Sequence, residues 1–200
     1  MFRRRTAERK YPIPLTVHQL WTVSLGAPVS RGADVSRTTL YPYRLIDDDR
    51  AREWLSDKWG ITSRAELLGA LDHLARVGYR TRVAEQFGIA PLAWDVGLYV
   101  HDVQTGFASG YVEEAEAWQL LGQVVRPVRQ AFGSWKEFAD GYLLGRTVWM
   151  GILRGTENEN FPAPQAVADA HLGRLLDPAN DQSPWNRAPW AAMDGPDRAC

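Results

Sequence analysis

Between Leu92 and Phe107 the chain spaces its apolar residues so that a helix through them is apolar on two sides. Leu92, Val96, Val100, Val103 and Phe107 share one side, and Trp94 and Leu98 lie nearly opposite. A helix with one apolar stripe rests on a core, whereas a helix apolar on two sides has to be surrounded by it. The segment from about Leu92 to Thr105 therefore predicts a central buried helix, which the rest of the chain must enclose.

The enclosing helices announce their starts. A Ser or Thr followed three residues later by Gln or Glu can satisfy free amides at a helix's first turn, and Thr16 with Gln19, Ser63 with Glu66 and Ser134 with Glu137 all have this form. They predict helices to about Gly26, Val77 and Leu153. Asp47, Asp48 and Asp49 place negative charge at the start of another, through Trp54, Leu55 and Trp59 to Gly60. Leu67, Leu68, Leu71, Leu74 and Ala75 share a core face, and Gly78 is placed to stop that helix. A helix beginning at Glu113 and Glu114 carries the stripe Trp118, Leu121, Val125, Val128 and Phe132, with Pro127 inside it. In the helix after Ser134, Gly141 and Gly145 suit close approach of another helix, expected near Gly97. A short helix from about Gln165 to Leu176 follows Pro162 and Pro164.

With 45% hydrophobic and 24% charged residues in 200, the chain can bury one core without staples. The expected fold is mainly α: a single-domain bundle of about six to eight helices with little or no sheet, Thr38–Tyr41 being the one short strand candidate. The organisation reads as a basic arm at 1–11 (Arg3, Arg4, Arg5, Arg9 and Lys10), a helical domain at 12–176 and a tail at 177–200. Trp185 and Trp190 in that tail imply that it docks.

Several functions lose support. A net charge of −1, with Lys and Arg spread along the chain, gives nucleic acid no basic face. No stretch reaches the roughly 20 apolar residues of a membrane span. Cys200 is the only cysteine, and Tyr11–Leu15 is too short and too Pro-broken for a signal core, so a cytoplasmic location is expected. His18, His73, His101 and His171 stand too far apart for a helical metal site, and each reads as a surface or helix-boundary histidine. No nucleotide or nucleophile motif is present, so no metal and no cofactor are expected.

Three residues carry what chemistry there is. Asp95 and Asp102, seven apart, fall on almost the same face of the central helix. Such carboxylates can hold a cation or split their pKa values for acid and base work, or each can simply accept hydrogen bonds or an Arg partner. Arg146 follows Gly145 beside an apolar stripe, so it needs an anion, Asp95 first and Asp140 second. Tyr142 and Trp149, one turn either side of Arg146, are packing or binding residues.

The run Ala93-Trp-Asp-Val-Gly97, then Gly106-Phe107, Gly110–Glu114, Ala117-Trp118 and Ser134–Phe138 through Tyr142–Arg146, resembles a bacterial family known as domain of unknown function twelve sixty-six. Gln19–Trp21 and Trp59–Ser63 also look like it, extending the resemblance over about 15–153. The family pattern implies an arginine where this chain has Leu98 and another where it has Gln104. If those arginines serve a site, this copy is weakened; if they are structural, Leu98 extends the second apolar face.

Two functions fit. One is a non-catalytic interaction or regulatory module that binds a protein partner through an apolar patch near Trp185 and Trp190, with Tyr142 and Trp149. The other is a hydrolase or nuclease-like effector whose Asp95, Asp102 and Arg146 share a concave pocket.

Overall fold

The computed structural model describes residues 15–29, 40, 48–88, 90–152 and 165–199. Among these the chain forms nine α-helices and one 3-10 turn, with an isolated antiparallel bridge between Thr16 and Ala199 as the only extended pairing. The basic arm, and Thr38, Thr39 and Tyr41 of the strand candidate, lie outside the described residues.

Helix α5, Leu92–Ser109, is the centre, and every residue from Ala93 to Ser109 is buried. It runs one turn past Thr105, to a left-handed Gly110 that ends it. Around it stand α2 (Asp48–Trp59), α3 (Arg64–Arg76), α4 (Gly78–Phe87), α6 (Glu114–Ala131) and α7 (Trp135–Ile152). Glycine sets the approach of α7: a Cβ on Gly145 would sit 2.4 Å from the Trp94 Cβ, and one on Gly97 would sit 3.3 Å from the Tyr142 ring. The expected contact near Gly97 is therefore present.

The expected caps form. In α1, Val17–Ser24, both halves of the Thr16–Gln19 box are made. At α3 the Ser63 hydroxyl accepts the Glu66 amide, while the Glu66 carboxylate takes the Thr62 amide at 2.7 Å. Ser134 accepts the Glu137 amide at 3.1 Å, and Glu137 takes the Gly133 amide at 2.8 Å. Leu67, Leu71 and Leu74 enter the core, Leu68 packs against it, and Ala75 faces solvent.

One helix departs from the sequence reading. Gly78 ends α3 in a left-handed conformation, as expected, but it also opens α4, which has no side-chain cap of its own.

Helix α8, Gln165–Leu176, lies against α7, and the tail continues through α9, Pro184–Arg187, into the 3-10 turn Trp190–Asp194. The tail joins the core. Trp185 is 2% exposed, stacks on Trp135 with ring centres 5.0 Å apart, and donates its indole N–H to the Ser24 carbonyl at 2.9 Å. Trp135 in turn donates to the Ala188 carbonyl at 2.9 Å.

Candidate functional site

Asp95 lies in the first turn of α5, with its side chain fully enclosed. Its carboxylate accepts the Tyr79 amide at 3.0 Å and the Arg80 amide at 3.1 Å, the bonds that an N-cap side chain would otherwise make for α4. The Arg80 guanidinium completes the arrangement, donating to Asp95 at 2.9 Å and to the last-turn carbonyls of α3 at Leu74 (2.7 Å) and Ala75 (2.6 Å). Asp95 and Arg80 thus tie the end of α3 and the start of α4 to α5. Burial raises the Asp95 pKa, opposed by the hydrogen bonds and charge of Arg80 and the amide of Tyr79.

Arg80 displaces the partner expected for Asp95. Arg146 is 2% exposed, and its charged neighbourhood is the Tyr142 hydroxyl and the Asp169 carboxylate, with desolvation lowering its pKa. Asp140, the second expected partner, bonds Lys136 at 2.7 and 2.8 Å on the surface. The reason is register: Asp95 faces α4, which the sequence reading left out.

Asp102 is 1% exposed, and its Oδ1 has no hydrogen-bond partner. Burial holds its pKa well above the ordinary carboxylate value, which favours the neutral acid. Tyr79 links the two acids electrostatically: burial first, then the charges of Asp102 and Asp95, push its pKa up to about 12. Its ring packs on Trp149 at 4.2 Å. A cleft of about 40 Å³, room for roughly two or three waters, opens beside Leu74, Arg80, Asp95, Tyr99, Gln123 and Pro127. Neither Asp102 nor Arg146 lines it, so this cleft is not the shared pocket that the enzyme reading requires.

The binding residues also turn inward. Trp185 is buried, and Trp190 is partly buried against Trp21 and Trp135, so the exposed patch expected there does not form. Tyr142 is 5% exposed, packs on Trp94 and donates to the Pro28 carbonyl at 3.3 Å. Trp149 is partly buried.

His101 corrects the view that all four histidines are peripheral. It sits mid-helix in α5, 3% exposed, edge-on to Trp54 at 5.5 Å, and neither ring nitrogen has a hydrogen-bond partner. Burial lowers its pKa to about 4. A signal was present: a helix enclosed on two apolar sides draws in the polar residues between them. Thr105 bonds the His101 carbonyl and Ser109 the Gly106 carbonyl, but His101 has no comparable outlet.

A pH dependence follows. The unfolded chain binds a proton at His101 below about pH 6.5, whereas the folded chain does so only near 4. Stability from this residue is complete above pH 6.5 and is lost as pH falls towards 4. His101→Phe keeps the ring and removes the titration. It is expected to flatten the acid limb of a pH series of urea unfolding midpoints, and to gain about 3 kcal/mol over the native chain at pH 4.

Among the described residues no cluster of three or more His, Cys, Asp or Glu could hold a metal ion, and no helix is long and apolar enough to cross a membrane. The architecture is that of an all-helical domain closed around a buried central helix. The chain belongs to the family described as Protein of unknown function (DUF1266), whose model matches residues 83–190. The match begins within α4 and runs through Trp190, so it takes in the first part of the tail and omits the upstream pieces around Trp21 and Trp59. No curated protein and no solved structure matches the chain. Leu98, where the family pattern implies arginine, is fully buried and apolar in its contacts, and Gln104 is 1% exposed.

Proposed function

We propose that the protein is a non-catalytic interaction or regulatory module of a bacterial cytoplasm, and that it binds a protein partner. A lone cysteine suits such a reducing compartment. The observation that carries the reading is the side of α7 turned to solvent. Leu144, Thr147 and Met150 follow one another at steps of three, with Leu144 41% and Met150 38% exposed. Val167, on the neighbouring α8, is 53% exposed. Exposed apolar side chains on two helices that pack together favour a contact surface. Meanwhile Asp95, the best-placed carboxylate, is fully engaged in joining helices.

The test is capture of partners from native lysate with the full-length chain and with Leu144→Glu/Met150→Glu. A near-stoichiometric protein held by the native chain and lost by the variant, with unchanged circular dichroism, supports the module. Equal capture by both, or capture by neither, contradicts it.

The second reading, a hydrolase or nuclease-like enzyme, is favoured by one feature. Asp102 is a buried acid with an unpartnered oxygen, as a general acid kept protonated would be. It requires that Asp102→Asn abolish a turnover detected with ester, glycoside or phosphodiester substrates while the fold persists.

A further inference from the structure

The chain from Pro189 to Ala199 lies as a strap across α1 and the aromatic cluster beneath it. Its 3-10 turn contains no fully buried residue. Trp190 is the main insertion, with ring centres 5.0 Å from Trp21, 4.9 Å from Trp135 and 6.5 Å from Phe138. Ala192 and Met193 also pack on the core, and polar contacts hold the rest. Arg129 donates to the Trp190 carbonyl at 3.2 Å and pairs with the Asp194 carboxylate. The His18 amide donates to Asp197 at 3.0 Å, and its ring Nε2 lies 3.1 Å from the carbonyls of Ala192 and Gly195.

One indole beneath the strap is unsatisfied, as is that of Trp94 in the core. Trp135 and Trp185 both place their indole N–H groups on backbone carbonyls, but the fully buried Trp21 Nε1, under Trp190, has no acceptor. Buried donors are normally bonded, and the strap supplies no acceptor for this one.

We infer that Trp21, Trp135 and Phe138, flanked by Arg129 and His18, form a docking groove for a partner protein's segment bearing an aromatic side chain followed by acidic residues, and that the C-terminal strap is its internal stand-in. The strap displays the recognised chemistry: an aromatic at 190 and carboxylates four and seven positions later, which meet the Arg129 guanidinium and the His18 amide. A partner's segment would add a carbonyl acceptor for Trp21. Because the strap is tethered, it competes at an effective concentration on the order of millimolar, so docking is weak until it loosens. The proposal deepens the interaction-module reading at a surface separate from α7.

The probe is a fluorescent peptide with the sequence Pro189–Ala199, titrated by anisotropy against the full-length native chain, Trp190→Ala, and Asp194→Ala/Asp197→Ala. Binding at least tenfold tighter to both variants than to the native chain is expected. A peptide with its Trp replaced by Ala, or both Asp by Asn, should lose that binding. The double variant leaves every core side chain in place, so it reads the groove even if Trp190→Ala unfolds. Equal titrations across the three chains, or none with folded variants, overturn the groove while leaving the α7 surface standing. A native-chain dimer that the peptide dissolves would also overturn it, assigning the groove to a second copy. Loss of the α7 result with peptide exchange intact would sink that surface alone.

Discussion

Trp185→Ala is expected to lower unfolding stability by about 4 kcal/mol, at the upper end for a buried residue because two losses coincide. The ring fills space against Trp135, stacked within 5° of parallel, and its indole N–H donates to the Ser24 carbonyl, which the Ala27 amide also bonds. Removing it leaves a cavity beside a carbonyl without that donor. A chain ending at Asp177 goes further. It lacks Ser183, whose hydroxyl bonds the Leu175 carbonyl at 2.6 Å, and the Ala188 carbonyl that satisfies Trp135. Since small domains are stable by only about 5–15 kcal/mol, this truncation is expected to give a chain without a cooperative thermal transition. Circular dichroism melts of both variants check the point; a truncated chain melting like the full one would mean that the tail is dispensable packing.

Gly78→Ala should cost a similar amount for a different reason. Gly78 holds φ at +61°, a conformation that costs an alanine about 1–2 kcal/mol. The added Cβ would also fall 1.9 Å from the Asp95 Oδ2 and 2.6 Å from the Arg80 Nη1. Neither group can move without breaking the tie between α3, α4 and α5. A total loss of about 3–5 kcal/mol is expected, read as a drop in urea midpoint. Gly88→Ala is the control, with a similar φ of +71° but no atom within 4 Å of its Cβ, and should lose only the conformational part.

The contrast between α4 and its neighbours explains what the sequence could reveal. Thr16, Ser63 and Ser134 cap helices through residues three positions away, so local spacing suffices to place them. The cap of α4 is Asp95, sixteen residues beyond Tyr79 and on another helix. No local pattern carries that information, and residue spacing alone does not lead from Asp95 to Arg80. Burial of α5 was legible because its apolar residues occupy two faces, and that inference extended one step further would have placed His101 inside. The tail reversed its expected role for a simple reason: two Trp residues signal a large apolar surface seeking cover, and composition does not say whether the cover is another protein or the chain's own core.

Asp95 serves the fold by tying the end of α3 and the start of α4 to α5. Urea unfolding of Asp95→Asn and Asp102→Asn at pH 7 tests it most directly. Burial raises the pKa of both acids, but at 95 an Asn would set an NH2 donor against the Tyr79 and Arg80 amides and the Arg80 guanidinium, all of which donate there, and stability should fall by about 2–4 kcal/mol. Burial raises the Asp102 pKa, and a carboxyl shifted in that direction costs stability as pH rises above the unfolded value near 4, so the Asn variant at 102 should be more stable than the native chain at pH 7. Opposite signs are the predicted result. An Asp95→Asn chain as stable as the native one, or more so, would contradict the structural role and return Asp95 to the candidates for catalysis.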